Sequence, residues 1–238
     1  MPLESSDSLF RSMMHDAQPS LIETMKADAE GLIALLPYHL QRLTQSARAL
    51  GFTYPGDDAV VAAINATRLP ADATTVCDTR IRLLLSANGQ LNIQTAPLPA
   101  LHGVPFIALT RLRLESAEPL LQHKTTYRPW YDATTQWLTQ HPDFFDLIFL
   151  NEKGELCEGS RSNIYVLKDG EWLTPPLSSG LLGGVLRTQL LETAQVKEAM
   201  LTPSDLTVDK ASIRLSNALR GWFDVELSPS VLPGHFLP

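Results

Sequence analysis

The sequence predicts an α+β chain in two parts, each of which mixes helices with strands. Three observations support this fold class. Apolar residues recur every three to four positions over residues 32–50, which is typical of a helix. Two apolar runs on either side of Asn88-Gly89 predict a β-hairpin. Residues 131–195 then combine a helical stretch, three strand-like runs and a second helical stretch.

The first part begins with two predicted helices. Pro37 is expected near the start of the first one, because proline is tolerated in the first turn of a helix. Residues 55–69, PGDDAVVAAINATRL, predict a second helix with Asp57 or Asp58 as its N-cap. The hairpin follows, and its Asn88-Gly89 pair predicts a type I′ turn.

A further strand and a linker end the first part. Residues 106–115, FIALTRLRLE, predict a strand in which Leu112 and Leu114 face one way and the two neighbouring arginines face the other. Pro119 and the stretch around it resemble a linker. We therefore expect a small N-terminal α/β domain at residues 1–115 and a C-terminal domain with a larger core at residues 116–238.

The second part returns to mixed elements. Residues 131–142, YDATTQWLTQHP, predict a helix that ends before Pro142. Three strand-like runs follow within residues 145–176, separated by Glu-Lys-Gly and Lys-Asp-Gly turns. Residues 185–195 predict a helix, TPSDL predicts a short one, and KASIRLSNAL predicts a strand.

Composition and charge exclude several classes of protein. The net charge of −7, with no basic stripe, argues against nucleic-acid binding. The N-terminal segment lacks the apolar stretch of a signal peptide, and no apolar run approaches the ~20 residues that cross a bilayer. Two cysteines and no paired-histidine motif predict no metal site. We therefore expect a cytoplasmic protein that acts on small molecules, without nucleic acid, membrane or metal as a partner.

Three features are candidates for chemistry. Lys124 lies among apolar residues that would lower the pKa of an amine, as Schiff-base chemistry requires; the alternative is an ordinary surface lysine. Glu158, flanked by two predicted strands, needs a positive partner if it is buried, such as a pyridinium nitrogen; the alternative is a solvent-exposed turn. The loop with Gly180, Gly183 and Gly184 either turns the chain or presents backbone N–H groups to a phosphate at a helix start.

Six segments carry a resemblance to a known family. They are IETMKA, YHLQRLTQSARALGF, HKTTYRPWYD, NEKGELCEGSRSNIYV, GLLGGVLR and LSNALRGW. Together they resemble the class IV aminotransferase family of fold-type IV pyridoxal-phosphate enzymes, and are most similar to its 4-amino-4-deoxychorismate lyase branch. The resemblance covers nearly the whole chain, and its N-E-x-G-x-x-x-E-G-S-x-S-N run is specific. It implies a two-domain fold with the cofactor between the domains, usually in a homodimer.

The resemblance also implies a role for each matched residue. Lys124 takes the position that holds pyridoxal 5′-phosphate as a Schiff base and then acts as the general base. Glu158 takes the position that faces the pyridine nitrogen, and Arg42 the position that grips the phosphate. The other cofactor-binding positions are Ser162, Asn163, Gly184, Val185, Leu186, Asn217 and Ala218. Val185 and Leu186 match backbone N–H donors to the phosphate, and the last two of the set lie on a loop that closes the phosphate side.

The implied reaction converts 4-amino-4-deoxychorismate to 4-aminobenzoate and pyruvate in folate biosynthesis. Pro129 stands where the family's aminotransferases often carry a tyrosine that bonds the cofactor's 3-oxygen, O3′, and Tyr127 or Tyr131 is a candidate replacement. Leu186 replaces a hydroxyl residue of branched-chain aminotransferases. These departures favour the lyase. The alternatives are an aminotransferase acting on branched-chain or D-amino acids, and a non-catalytic binding domain on the same fold.

Overall fold

The computed structural model describes residues 19–67, 78–206 and 212–228, which form two sheets with helices packed on them. The helices are α1 (Leu36–Leu50), α2 (Asp57–Ala66), α3 (Asp132–Gln140) and α4 (Val185–Glu192). The strands are β1 (Leu21–Ala27), β2 (Thr79–Leu85), β3 (Leu91–Pro97), β4 (Phe106–Leu114), β5 (Phe144–Asn151), β6 (Leu156–Gly159), β7 (Asn163–Lys168), β8 (Glu171–Thr174), β9 (Lys197–Glu198), β10 (Ile213–Asn217) and β11 (Gly221–Leu227). This mixture is the α+β fold that the sequence predicts. Within the described ranges, no helix has the length and apolar character of a membrane span.

The smaller sheet has the antiparallel order β1-β2-β3, and helices α1 and α2 cover one of its faces. Leu21, Met25 and Leu83 lie in the core between the sheet and the helices. Because side chains alternate along a strand, Glu23 of β1 points to this same face and is buried beneath α1. Thr24 points the other way and lies opposite Arg82 of β2.

Helix α1 follows the apolar period of its sequence. It begins at Leu36 with Pro37 in its first turn, as predicted, and ends at Gly51, whose left-handed φ of 72° closes the C-terminus. His39, Leu43 and Ala47 recur at four-residue spacing and are buried against the sheet. The helix therefore presents one buried histidine on its apolar face.

The larger sheet has the order β10-β11-β4-β5-β6-β7-β8-β9, and β10 pairs with β7 as well as with β11. This additional pairing closes six strands into a barrel-like ring. Ile107, Ile148, Ile164 and Leu215 are fully buried in the core of this ring. Strand β4 belongs to this sheet, where it pairs with β5 and β11. The domain boundary at residue 115 stays a prediction.

The hairpin of β2 and β3 forms where the sequence predicts it, but its turn type differs. A type I′ turn needs a left-handed residue at Asn88, and only Gly89 is left-handed, with φ of 88°. Gly89 N–H donates to the carbonyl of Ser86 at 2.9 Å. The loop is therefore a type I turn followed by a left-handed glycine, which also places β2 and β3 in antiparallel register.

Two further local predictions are corrected. The register of β4 against β5 shifts between Leu109 and Arg113, so Leu112 is exposed beside the neighbouring arginines instead of facing inward with Leu114. Helix α4 ends at Glu192, three residues before the predicted end. Ala194 has a left-handed φ of 55°, which a continuing helix cannot accommodate.

Closure of the ring depends on apolar packing at β10, which Leu215→Ala tests. Leu215 is fully buried and lies opposite Ile164 of β7, so truncation leaves a cavity. We expect a loss of about 2–5 kcal/mol in the free energy of unfolding, measured by urea denaturation. Leu112→Ala, at a position with 37% exposure, is the control and should change stability by less than about 1 kcal/mol. Equal losses in the two variants would contradict this view of the core.

Candidate active site

A cavity of about 300 Å³ lies between the smaller sheet and the barrel-like ring. All ten residues that the resemblance singles out line it: Arg42, Lys124, Glu158, Ser162, Asn163, Gly184, Val185, Leu186, Asn217 and Ala218. Further lining residues that sequence reasoning did not select are Ile22, Thr24, Arg82, Arg128, Arg161, Leu182, Ser216 and Leu219. The structure thus brings the predicted set together, while the role of each member stays a prediction.

Lys124 reaches the cavity because its segment pairs with the start of β1. Ile22 N–H donates to the Lys124 carbonyl at 2.7 Å, and Thr126 N–H donates to the Ser20 carbonyl at 2.8 Å. Burial, together with the positive charges of Arg128 and Arg42, lowers the pKa of the Lys124 amine to about 7, against the opposing effect of the Glu23 and Glu158 carboxylates. A large fraction of this amine is therefore neutral near pH 7, which is the nucleophilic form.

Glu158 is buried at the end of β6, with 2% of its surface exposed. The Tyr131 hydroxyl donates to its Oε1 at 2.6 Å, and Asn163 Nδ2 donates to its Oε2 at 3.4 Å. Burial raises the pKa of Glu158 to about 7, although the charge of Arg128 and the Tyr131 hydrogen bond oppose the rise. A buried carboxyl of this kind fits a ligand nitrogen that can share its proton.

Arg42 is held by a buried carboxylate that sequence reasoning missed. Its Nε donates to Glu23 Oε1 at 2.9 Å and its Nη2 donates to Glu23 Oε2 at 2.6 Å. His39 Nδ1 lies 2.6 Å from the same Oε2. Burial alone would raise the pKa of Glu23, but Arg42 and His39 outweigh it and lower this pKa to about 2. The signal was present in the sequence as a glutamate inside the apolar run LIETM.

The glycine loop leads directly into helix α4, whose cap is Gly184. A Cβ at Gly184 would overlap Asn163 Oδ1, so only glycine fits at this position. Asn163 Nδ2 also donates to the Leu182 carbonyl at 2.9 Å and fixes the loop. The first N–H groups of α4, at Val185 and Leu186, have no partner within the helix and line the cavity. With Arg42, they form a site suited to a phosphate.

Asp146 holds the segment of residues 160–162 in place, and sequence reasoning missed it as well. Its carboxylate accepts hydrogen bonds from Ser160 N–H at 2.9 Å, Ser160 Oγ at 2.7 Å, Arg161 N–H at 3.0 Å and Ser162 Oγ at 2.6 Å. A Cβ on Gly159 would overlap this carboxylate. The Ser162 hydroxyl is therefore committed to Asp146, although Ser162 lines the cavity. An aspartate inside the apolar run FFDLIFL was the sequence signal.

Asn217 shapes a loop that lines the cavity. Its Nδ2 donates to the Arg161 carbonyl at 3.2 Å, and its Oδ1 accepts hydrogen bonds from the Leu219 and Arg220 N–H groups at 3.1 and 2.9 Å. These contacts hold the turn in which Ala218 lies. The side chain of Asn217 thus supports the turn that carries Ala218 to the cavity.

Neither tyrosine considered as a partner for the cofactor O3′ lines the cavity. Tyr131 is buried and its hydroxyl donates to Glu158. Tyr127 packs edge-on against Trp130, with ring centroids 6.4 Å apart. Pro129 begins a short 3-10 turn and carries no hydroxyl group. None of these three residues is therefore among those that line the cavity.

Together these groups form a cavity that suits a phosphorylated aromatic aldehyde. The site combines a buried amine of lowered pKa, a buried carboxyl and an arginine next to a helix N-terminus, all facing one cavity. A perturbed lysine and a perturbed glutamate in one cavity are typical of catalytic groups. The residues present fit pyridoxal phosphate.

The sequence matches the family model of amino-transferase class IV over residues 20–227. The chain therefore belongs to the class IV aminotransferase family, whose members depend on pyridoxal phosphate. The resemblance, the fold class, the type of enzyme and the cofactor that the sequence predicts are confirmed by this match together with the architecture.

Three similar proteins illustrate the range of the family. A Schizosaccharomyces pombe protein named "Putative aminodeoxychorismate lyase" is 32% identical, with 76% of this chain and 77% of that protein aligned. A Mycobacterium tuberculosis protein named a bifunctional aminodeoxychorismate lyase and D-amino acid transaminase is 26% identical, over 71% of this chain and 66% of that protein. A solved structure described as a hypothetical aminotransferase from Mycobacterium tuberculosis in its PLP-bound form superimposes with a TM-score of 0.74 at 25% identity, covering 98% of this chain and 88% of that one.

The buried carboxyl of Glu158 makes the stability of the cofactor-free protein depend on pH. Its folded pKa of about 7 lies above the ordinary value of 4.5, so the folded protein keeps a proton that the unfolded chain loses between these values. This carboxyl therefore lowers stability as the pH rises through that window. We expect Glu158→Gln to be more stable than the wild type at pH 8, by up to about 3 kcal/mol, and to match it near pH 4.

Urea denaturation at both pH values measures this difference. Glu171→Gln is the control, because Glu171 is exposed on β8 and should give no comparable gain at pH 8. A difference between Glu158→Gln and the wild type that is the same at pH 4 and pH 8 would contradict the buried titration of Glu158.

Proposed function

We propose that this enzyme is a lyase that converts 4-amino-4-deoxychorismate to 4-aminobenzoate and pyruvate, a reaction of folate biosynthesis. The observation that carries the proposal is a single cavity in which Lys124 and Glu158 are accompanied by four arginines. The name of the Schizosaccharomyces pombe relative supports the same reaction. Location in the cytoplasm and assembly as a homodimer stay predictions.

The chain offers a group for three parts of the cofactor. Arg42 and the first N–H groups of α4 would hold the phosphate, Lys124 would bind the aldehyde carbon, and Glu158 would face the ring nitrogen. Bound pyridoxal phosphate supplies an aldehyde for the substrate amine and a ring that accepts electrons. Glu158 holds a proton at its carboxyl oxygen for that nitrogen, because burial raises its pKa to about 7.

Lys124 supplies the base. Because its pKa is lowered to about 7, the neutral amine is available near neutral pH to take the proton from the substrate carbon that bears the amine. The bond between the ring carbon and the enolpyruvyl oxygen then breaks, and the enolate of pyruvate leaves with that electron pair. The proton that Lys124 removed is returned to the enolate, which gives pyruvate. The ring that remains is aromatic 4-aminobenzoate, and its aromaticity favours the products.

The charge of the lining favours a substrate with two carboxylates. Glu158 is the one carboxylate among the described lining residues, whereas Arg82, Arg128 and Arg161 add positive charge beyond that of Arg42. Aminodeoxychorismate carries a ring carboxylate and an enolpyruvyl carboxylate. The side chain of a branched-chain amino acid is apolar and would gain nothing from these arginines.

The second candidate is an aminotransferase acting on branched-chain or D-amino acids. Lys124 and Glu158 would serve that reaction equally well, and the bifunctional name of the Mycobacterium tuberculosis relative includes it. The two functions differ in turnover. A lyase leaves the cofactor as the aldehyde in every cycle, whereas an aminotransferase needs a keto acid to restore it.

This difference gives the test. The purified protein, loaded with pyridoxal phosphate and given aminodeoxychorismate without a keto acid, should release pyruvate and 4-aminobenzoate in equal amounts over many turnovers. Lys124→Ala, which lacks the base, is the control and should release neither product above background. Silence with aminodeoxychorismate, together with sustained exchange between a D- or branched-chain amino acid and a keto acid, would show that the enzyme is an aminotransferase.

A further inference from the structure

We propose that Arg128 is the residue that faces the O3′ oxygen of pyridoxal phosphate, in the place of the tyrosine that this chain lacks. The inference rests on the binding of the cofactor in the cavity, and it holds for either reaction. Arg128 is not among the residues assigned from the family resemblance. Arg128 is proposed because it lines the cavity and has hydrogen-bond donors without a partner among the described residues.

The chemistry of the cofactor leaves one edge without a partner. The aldehyde carbon lies opposite the ring nitrogen, and the phosphate arm and O3′ flank the aldehyde on its two sides. Lys124 and Glu158 account for the first two positions, and Arg42 with the start of α4 accounts for the phosphate. The remaining edge carries O3′, which is anionic when the ring nitrogen is protonated. An anionic oxygen in a buried site needs a hydrogen-bond donor, and a charged donor suits it best.

Arg128 shares one cavity with Lys124 and Glu158, the two groups assigned to the ends of that ring axis. Its charge gives the largest electrostatic contribution to the lowered pKa of Lys124, and also the largest contribution that opposes the raised pKa of Glu158. It lines the same cavity as both residues. Because Arg128 lines the cavity and its charge acts on both the amine and the carboxyl, we place it beside the ring that would lie between them.

The guanidinium group of Arg128 is held in place by two contacts that leave most of its N–H donors available. Its Nη1 donates to the Ser160 carbonyl at 3.1 Å, and its central carbon lies 4.2 Å from the centre of the Tyr131 ring. These two contacts fix the plane of the group. Within the described ranges no carboxylate forms an ion pair with Arg128, so most of its five N–H donors remain available.

The other side chains that could donate a hydrogen bond to O3′ already have partners or lie elsewhere in the cavity. The Tyr131 hydroxyl is bonded to Glu158, and Arg161 donates to the Phe145 carbonyl through two nitrogens. Arg82 belongs to the smaller sheet, where it lies opposite Thr24 of β1. Arg128 thus combines a charge with free donors on the segment that carries Lys124, only four residues along the chain.

The test compares pyridoxamine 5′-phosphate with its 3-deoxy analogue, which lacks only the 3-oxygen. Neither compound forms a Schiff base with Lys124, so the dissociation constants of the cofactor-free protein, measured by calorimetry, report non-covalent contacts alone. We expect the wild type to bind the analogue about 10- to 100-fold more weakly, the range of one charge-assisted hydrogen bond. Arg128→Gln should bind the two compounds with nearly equal affinity, because its preference for the 3-oxygen is lost.

Two variants provide the controls. Arg82→Gln removes the same charge from the same cavity and should keep the wild-type preference for the 3-oxygen. Arg128→Lys keeps a charge without the planar fork and should keep part of the preference. A wild type that binds both compounds equally, or an Arg128→Gln variant that retains the full preference, would overturn the inference. Failure of the wild type to bind pyridoxamine phosphate at all would overturn the cofactor assignment as well, whereas lyase activity does not enter the measurement.

Discussion

The buried ion pair between Glu23 and Arg42 is the interaction on which the rest of the site depends. Glu23 lies beneath helix α1, where an isolated carboxylate would cost several kcal/mol. Two hydrogen bonds from Arg42 and one contact with His39 compensate for this burial. The same contacts hold the Arg42 guanidinium at the cavity, so the smaller sheet, the helix and the proposed phosphate site are positioned by one carboxylate.

That arrangement contrasts with the other two titratable groups of the cavity. Lys124 and Glu158 have no ion-pair partner within the described residues, and burial moves the pKa of each to about 7. Both groups therefore change protonation near neutral pH, which suits groups that exchange protons with a substrate or a cofactor. These two groups lower the free energy of unfolding, because an ionisable group that is buried without a partner destabilises the folded state. In this fold the Glu23 carboxylate is neutralised by Arg42, which is placed to bind a ligand. Lys124 and Glu158, the two groups suited to proton transfer, are left without an ion-pair partner among the described residues.

The sequence predicted much of this site because several key residues have local signals. Lys124 in an apolar segment and Glu158 between two strands are visible along the chain, as are the glycines before α4. Arg42 was predicted from the family resemblance alone, because the residues around it in the sequence give no signal of a binding site. The elements themselves follow from apolar periodicity, and most lie where the sequence places them.

What the sequence could not give are contacts between distant segments. The Asp146 carboxylate meets the 160–162 loop only when β5 and β6 pair, and Glu23 meets Arg42 only when α1 packs on β1. Whether Tyr131 faces the cofactor O3′ also depends on contacts between distant segments, since its hydroxyl is directed toward Glu158 in the folded chain. The turn at Asn88-Gly89 was misassigned for a local reason, because Asn-Gly suits a type I turn followed by left-handed Gly89 as well as a type I′ turn.

The central claim is that Lys124 is the amine that binds the cofactor, and the attachment site of the cofactor tests it most directly. The protein is incubated with pyridoxal phosphate and treated with borohydride, which makes the bond permanent, and the modified peptide is then identified by mass spectrometry. The structure predicts one label per chain, on Lys124, because this buried amine is neutral in large part near pH 7. A label found mainly on Lys153 or Lys168, whose side chains are largely exposed, would contradict the claim.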